Sequence, residues 1–190
     1  DDADVMLAGG TEASLLEVIL AGFINMKALG VRAEAPDRAS RPFDKNRNGF
    51  VIGEGSAIMI LEDLERATKR GAKIYCEVVG YGSGNDAYHM VAPSELGVGA
   101  SRVMKAALRK AGKHAGMPAD EGDYINPHGS STPLNDKFET WAIKDVFGDH
   151  ARTQVITSSK SMVGHMFGAA GAVEAMTAIK AVETGIIHPT

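Results

Sequence analysis

Cysteine is almost absent from this sequence, which carries one thiol, Cys76, in 190 residues. A single thiol excludes an internal disulfide framework and is typical of a reducing compartment. Long apolar runs are also missing, and none approaches the roughly 20 residues that span a bilayer. We therefore expect no membrane insertion. The acidic opening at residues 1–4 does not match the basic start of a secretory signal peptide either.

A strong charge of one sign is missing as well. The formal net charge is −4, and hydrophobic and charged residues make up 44% and 23% of the chain, as in ordinary globular proteins. This balance gives no general attraction to nucleic acid, so we expect no nucleic-acid partner.

Local metal and nucleotide motifs are absent too. No two histidines stand at the i, i+4 or His-x-His spacing of a zinc site, so we predict no metal site. The glycine-rich residues 80–84 match neither the dinucleotide fingerprint, the phosphate loop nor the GxSxG nucleophile motif.

Strand-like and helix-like patterns alternate along the chain, which predicts an α/β protein with buried sheets. We expect strands at residues 5–8, 50–61 (two runs around a glycine-rich kink), 74–81, 123–126 and 154–157. We expect helices at residues 13–29, 63–70, 99–111, 135–147 and 169–183. The first strand begins almost at once and little follows the last helix, so we expect the 190 residues to be part of a longer chain.

Two histidines lie at strand-to-helix junctions, where α/β proteins place their ligands. His128 lies in the sequence NPHGSSTPLND at residues 126–136, and His165 ends the sequence SSKSMVGH at residues 158–165. On local grounds a structural role and a catalytic role are about equally well supported.

Three segments in register carry a family resemblance. They are SRPFD with GFVIGEG (residues 40–44 and 49–55), NPHGSSTPLND (126–136) and SKSMVGHMFGAAGAVE (159–174). Together they resemble the β-ketoacyl-acyl carrier protein synthases of thiolase fold, most closely the type II chain-elongating enzymes. The resemblance covers essentially the whole sequence.

The resemblance implies a Cys-His-His site, in which His128 and His165 are the two histidines. The family transfers an acyl group to the cysteine, decarboxylates malonyl-carrier protein, and joins the resulting enolate to the acyl thioester. Decarboxylation places negative charge on the thioester oxygen, so two N–H donors must already point at it. The ammonium of Lys160 and the helix that begins beside His165 both favour neutral imidazole.

Further residues match family positions. Lys160 matches the lysine near the second histidine. Glu174 matches its carboxylate partner, with a purely structural ion pair as an equal alternative. Thr132 and Ser130 match hydroxyls that contact the pantetheine arm or the malonyl group. Asp136 is expected to cap the following helix or to tie down the loop.

The resemblance also marks what is not in this sequence. The family's nucleophilic cysteine is expected upstream of Asp1 and its gating loop beyond Thr190, so the 190 residues alone are expected to be inactive. Cys76 is expected to be an inert buried thiol. Two departures concern the site: Pro127 replaces a small residue before the first histidine, and Val91-Ala92 replaces a hydroxyl pair that helps to hold pantetheine.

The implied fold is a five-layered αβαβα arrangement of two similar halves. Residues 1–72 are expected to end the first half, and residues 73–190 to form most of the second. The implied partners are a second copy in a homodimer and an acidic acyl carrier protein, with Arg32, Lys45 and Arg47 as basic candidates for docking. No cofactor is implied, because phosphopantetheine arrives on the carrier protein. The implied compartment is the cytoplasm in bacteria, and otherwise the plastid or the mitochondrial matrix.

Two other functions remain open. One is the ketosynthase domain of a polyketide synthase. The other is a non-catalytic dimer partner like a chain-length factor, against which the retention of His128, Lys160 and His165 argues.

Overall fold

A computed structural model describes residues 3–115 and 122–190. The strands are β1 (Val5–Glu12), β2 (Gly55–Glu62), β3 (Tyr124–Ile125) and β4 (Val155–Ile156). The helices are α1 (Glu17–Asn25), α2 (Leu64–Lys69), α3 (Val98–Ala115), α4 (Pro133–Phe147), α5 (Lys160–Val163) and α6 (Phe167–Thr184). Short 3-10 helices lie at Pro36–Arg38, Glu95–Gly97 and Gly148–Arg152. Helices and strands alternate, which confirms the predicted α/β class.

The first sheet is an antiparallel pair of strands that packs against α6. Strand β1 pairs with β2 along its whole length. Met166, Ala169 and Ala170 form a buried cluster at the start of α6, and Ala57 of β2 is buried as well. A side chain at Gly10 would lie 2.0 Å from the carbonyl oxygen of Gly168. Glycine at position 10 is therefore what lets the strand approach the helix.

The first sheet is apolar on its other face too. Leu7, Ile58 and Ile60 are 71%, 72% and 68% exposed, whereas Ala57, between two outward-facing positions of β2, is buried. Side chains alternate between the two faces of a strand, so these three residues lie opposite α6. A sheet with two apolar faces is typical of strands that are covered on both sides.

The second sheet is a short parallel pair. Tyr124 lies opposite Val155, and Ile125 lies opposite Ile156. The carboxyl ends of parallel strands meet at one edge of a sheet. The segments that follow these strands, residues 126–131 and 157–160, therefore come together at that edge.

The predicted strand at residues 74–81 is wrong. The segment is assigned to no strand, because a strand needs ladder hydrogen bonds to a neighbour and none of the described strands lies alongside it. It passes over α3 instead. A Cβ at Gly80 would lie 2.4 Å from the carbonyl oxygen of Ala107, and one at Gly82 would lie 2.1 Å from that of Val103.

The predicted helix at residues 13–29 is too long at both ends. The backbone of Leu16 is extended, and its chain neighbour Leu15 donates to a carboxylate oxygen of Glu54 at 2.8 Å. After the helix, Lys27 has a left-handed φ of 55°. A contact outside the helix and a turn therefore override the helical pattern.

Only the second of the two strand-like runs at residues 50–61 forms a continuous strand. In the first run, Phe50 makes an isolated bridge with Leu29, and Ile52 makes one with His165. Both bridges are parallel. The segment before β2 therefore supports the backbone of His165 directly.

Candidate active site

The first histidine lies in a turn that a helix holds by its backbone. The N–H groups of His128 and Gly129 donate to the two carboxylate oxygens of Glu139 in α4, at 2.7 and 2.8 Å. Gly129 has a φ of +41°, and a Cβ there would lie 2.7 Å from the side chain of Ser158. Glycine is therefore required after His128, and the turn has little freedom to move.

The second histidine lies between α5 and α6. Its N–H donates to the carbonyl of Val51 at 2.7 Å, and its own carbonyl accepts from the N–H of Gly53 at 3.0 Å. Its ring nitrogen Nδ1 accepts from the N–H of Phe167 at 3.2 Å. Because Nδ1 of His165 is an acceptor, the neutral ring carries its proton on Nε2. Nε2 of His165 is thus a donor.

The two histidine rings lie next to each other. The centroids of His128 and His165 are 5.1 Å apart, with planes at 81°. Phe167 stacks on His165 with a centroid distance of 4.5 Å, and Phe50 meets it edge-on at 5.4 Å. Aromatic contacts and backbone hydrogen bonds thus fix the orientation of the His165 ring.

A buried ammonium connects this site to α6. Lys160 is 1% exposed, and its Nζ donates to the carbonyl oxygen of His128 at 2.7 Å and to Oε1 of Glu174. The side chain of Glu174 is 16% exposed. Burial raises the pKa of Glu174, although Lys160 acts in the opposite direction. The family resemblance predicts that Lys160 and Glu174 are partners, and the structure places their side chains in contact.

Both histidines are held in their neutral form. Burial, the ammonium of Lys160 and the ring of His165 lower the pKa of His128 from 6.5 to about 3. Part of the His128 residue is exposed, but its ring lies against that of His165, and the charge of Lys160 lowers its pKa in the same direction as burial does. Burial and Lys160 lower the pKa of His165 from 6.5 to about 4. Neutral imidazoles can donate a hydrogen bond without adding positive charge.

We expect both rings to stay neutral as the pH falls from about 8 to about 5, where a free histidine would gain a proton. Replacing Lys160 by Met removes the nearby positive charge and should raise the pKa of His128 and of His165. Nitrogen-15 shifts of the labelled rings in the full-length protein report both results. A ring that titrates at its ordinary pKa of 6.5 in the unmodified protein would contradict this expectation.

Asp136 ties down a loop. Helix α4 begins after Thr132 with no side-chain cap, so the prediction that Asp136 caps this helix is wrong. Asp136 is 1% exposed and accepts from the N–H of Phe43 at 2.8 Å. It also forms an ion pair with Arg47 at 3.5 Å. Asp136 lies in the first turn of α4 and bonds to the loop, which is the other predicted role.

The same loop supports both histidine segments. Ser40 donates through its hydroxyl to the carbonyl of Lys160 at 2.6 Å. The N–H groups of Arg41 and Gly49 donate to the hydroxyl and the carbonyl of Ser131, both at 3.0 Å. Residues 40–49 are therefore packed against both histidine segments.

The proposed substrate hydroxyls form a pair. Ser130 is 4% exposed, and its hydroxyl lies 3.0 Å from that of Thr132. One of them donates to the other. They lie in the turn that follows His128, between that ring and the start of α4.

Other predicted residues lie in different settings. Arg47 is largely buried and donates to the carbonyls of Thr132 and Pro133, so it serves the loop rather than an open basic surface. Cys76 was expected to be buried, but it is only half-buried, on the segment that passes over α3. The N–H groups of Val91 and Ala92 both donate to Nδ1 of His89 at 3.1 Å.

Glu139 is the site residue that the sequence analysis missed. It is eleven residues from His128, so its contact with the turn is not local. A signal was present, because Asp136 and Glu139 are three residues apart and share a face of α4. Burial raises the pKa of Glu139, although the two N–H groups that it accepts act in the opposite direction.

Replacing Glu139 by Gln should disturb the position of His128. A glutamine oxygen can accept from one of the two N–H groups, while its amide nitrogen faces the other. The resemblance implies that His128 acts in malonyl decarboxylation. If so, a small misplacement of its ring has a large cost, and we expect that activity of the full-length protein to slow about tenfold. The amide resonances of His128 and Gly129 should also shift. Glu65→Gln, on the exposed surface of α2, is the control, and an unchanged rate in Glu139→Gln would disprove the positioning role.

In the part of the chain that the structure describes, no three His, Cys, Asp or Glu side chains form a metal-binding cluster. Within the same residues, no helix is both long and apolar enough to cross a membrane.

Sequence comparison connects this geometry to known proteins. Residues 1–67 match the family profile described as "Beta-ketoacyl synthase, N-terminal domain", and residues 75–190 match "Beta-ketoacyl synthase, C-terminal domain". A 3-oxoacyl-[acyl-carrier-protein] synthase 2 of Rhizobium meliloti is 50% identical over 190 residues, which are 100% of this chain and 44% of that protein. The synthase 2 of Coxiella burnetii is 47% identical over 100% of this chain and 45% of its own. The mitochondrial 3-oxoacyl-[acyl-carrier-protein] synthase of Arabidopsis thaliana is 48% identical, over 100% of this chain and 41% of that protein. The chain thus spans less than half the length of these relatives.

Solved structures agree. A chain from a type II polyketide synthase acyl-carrier protein in complex with its ketosynthase matches with a TM-score of 0.92 and 42% identity, over 99% of this chain and 45% of that one. A β-ketoacyl synthase from Burkholderia phymatum matches with a TM-score of 0.83 and 39% identity, over 94% of this chain and 41% of that one. These matches confirm that the chain folds as part of a thiolase-like ketosynthase.

Proposed function

This chain belongs to the β-ketoacyl synthase family, and from that membership we propose that the full-length protein elongates fatty acyl chains by decarboxylative condensation. The donor substrate is malonyl-acyl carrier protein, and the acceptor is an acyl group held as a thioester on the enzyme. The observation that carries the proposal is the pair of adjacent neutral histidines, 5.1 Å apart, beside the buried Lys160.

The histidines act on the malonyl half of the reaction. The bond between the malonyl α-carbon and its carboxylate breaks, carbon dioxide leaves, and the electron pair moves into the thioester as an enolate. Negative charge then develops on the thioester oxygen. His165 offers Nε2–H, and His128 lies beside it. Preorganised donors of this kind stabilise the enolate without having to reorient.

The acyl half of the reaction completes the carbon balance. The enolate carbon attacks the carbonyl of the acyl thioester, the new carbon–carbon bond forms, and the enzyme's thiolate leaves. We assign that thiolate to a cysteine outside these 190 residues, because Cys76 lies on the segment over α3 and not beside the histidines. His128, His165 and Lys160 are therefore the catalytic residues, and Glu174 and Asp136 support them.

The pantetheine arm is the proposed ligand of the turn after His128. Ser130 and Thr132 carry paired hydroxyls in that turn. The arm arrives on an acyl carrier protein, so the enzyme needs no cofactor of its own. Lys45 is exposed and Arg32 is partly exposed, and both remain candidates for carrier docking.

We further propose that residues 1–72 end the first thiolase-like half and residues 73–190 form most of the second. We expect the protein to form a homodimer. In a bacterium it would work in the cytoplasm, and in a eukaryote in the plastid or the mitochondrial matrix, as the name of the Arabidopsis thaliana relative suggests.

A polyketide ketosynthase is the second candidate. The observation that favours it is the TM-score of 0.92 to a chain from the type II polyketide complex. The identities of 47–50% to the synthase 2 proteins of Coxiella burnetii and Rhizobium meliloti favour fatty acid elongation.

The test is a condensation assay with the full-length protein, malonyl-carrier protein and a saturated acyl-carrier protein. We expect a 3-oxoacyl-carrier protein two carbons longer than the acyl primer. Release of carbon dioxide with product formed only from a β-keto primer would favour the polyketide reaction. Absence of both carbon dioxide and product would disprove a condensing function.

A further inference from the structure

A cleft separate from the histidine site lies between α3 and α4. Its volume is about 510 Å³, within the usual range for small-molecule pockets. None of the proposed catalytic residues lines it. The lining residues are Leu96, Val98, Ser101, Arg102, Lys105, Trp141 and Asp145.

The charges in this cleft are unequally paired. The carboxylate of Asp145 accepts from Nζ of Lys105 at 2.7 Å and from the hydroxyl of Ser101. The carboxylate of Asp145 therefore already has a cationic partner and a hydroxyl donor. Arg102 lies one turn before Lys105 on the same helix. Among residues 3–115 and 122–190, none forms an ion pair or a hydrogen bond with its side chain. Its guanidinium is therefore the available charge of the cleft.

The apolar side of the cleft is built around Trp141. Nζ of Lys137 lies 4.7 Å from the centroid of the Trp141 ring, and the ring of Phe138 packs against it at 5.4 Å. These contacts hold the indole in place. Leu96 and Val98 are 60% and 50% exposed, so apolar surface remains open at the cleft.

We propose that this cleft binds a small amphipathic organic anion. The carboxylate of the ligand pairs with the guanidinium of Arg102, which presents several N–H donors in a fork that suits a carboxylate. The apolar body of the ligand covers Leu96, Val98 and the indole of Trp141. A purely inorganic anion would leave this apolar surface in water, and an uncharged ligand would leave Arg102 without a partner.

Calorimetric titration of the full-length protein with octanoate tests the proposal. We expect saturable binding with a Kd of about 1 mM or tighter. Arg102→Gln removes the guanidinium at an exposed position and should weaken octanoate binding about tenfold, because hydrogen bonds between charged groups are among the stronger ones. Arg109→Gln is the matched control, since Arg109 is an exposed arginine on α3 outside the cleft.

Two further titrations separate the parts of the ligand. 1-Octanol has the apolar body without the charge, and inorganic phosphate has a charge without the body. Both should bind more weakly than octanoate. Equal affinity of octanol and octanoate, equal affinity of phosphate and octanoate, equal loss in Arg102→Gln and Arg109→Gln, or no saturable octanoate binding would each overturn the proposal.

Discussion

Replacing His165 by Ala should slow malonyl-carrier protein decarboxylation by about 10²–10³-fold, the usual cost of losing one donor to a developing oxyanion. Nδ1 of His165 accepts from the N–H of Phe167, so the proton of the neutral ring is on Nε2. Alanine removes this donor. It also leaves the backbone bonds of residue 165 to Val51 and Gly53 in place, so the main loss should be chemical.

The measurement is carbon dioxide release by the full-length protein at saturating malonyl-carrier protein. His150→Ala is the control, because the His150 ring bonds to the carbonyl of Gly122 and the hydroxyl of Thr153, away from the site. We expect the control to keep its rate. A His165→Ala variant that releases carbon dioxide as fast as this control would remove His165 from its proposed role.

Replacing Lys160 by Met should have the largest effect on stability. The variant leaves the carboxylate of Glu174 and the carbonyl of His128 without their buried ammonium partner. Removing one partner of a buried ion pair typically costs about 3–5 kcal/mol. We expect a loss of that size in the free energy of unfolding of the full-length protein, measured in urea.

A second substitution separates the charge from the packing. Lys160→Met with Glu174→Gln removes both charges, so part of the lost stability should return. Lys73→Met is the control for an exposed pair: Nζ of Lys73 lies 2.6 Å from Glu183, and its side chain is 66% exposed. That control should change the free energy of unfolding by about 1 kcal/mol or less. Equal losses in Lys160→Met and Lys73→Met would contradict the buried pair.

Much of the candidate site could be predicted from local sequence. The sequence predicts a strand-to-helix junction at both histidines, which pointed to a ligand-binding edge. The structure has that junction at His128, between β3 and α4, whereas the short helix α5 precedes His165. The spacing of Lys160 and Glu174 across the α5–α6 junction matched the family. The structure places these four side chains together. Their roles in catalysis stay predictions.

The missed features all depend on contacts between distant segments. Glu139 acts through two backbone N–H groups, and a sequence pattern records no backbone hydrogen bond. Arg47 was predicted to be a basic residue available for docking, yet its side chain donates to backbone carbonyls at the start of α4. Residues 74–81 have the alternation of a strand, but a strand forms only beside another one, and here the segment meets a helix.

The helix boundaries show the same limit on a smaller scale. Residues 13–29 are apolar at helical spacing, but α1 covers only Glu17–Asn25. The N–H of Leu15 bonds to Glu54, which lies 39 residues away in sequence. A distant carboxylate, invisible to periodicity, therefore helps to set where the chain can begin the helix.

The central claim is that His128 and His165 stabilise one and the same developing charge. The most direct test is carbon dioxide release from malonyl-carrier protein by the full-length protein, compared with His128→Ala, His165→Ala and the double variant. Groups that act as a unit are strongly non-additive. We predict that each single variant loses most of the activity and that the double variant loses little more. Losses that multiply in the double variant, or carbon dioxide release at the unmodified rate by that variant, would contradict the account.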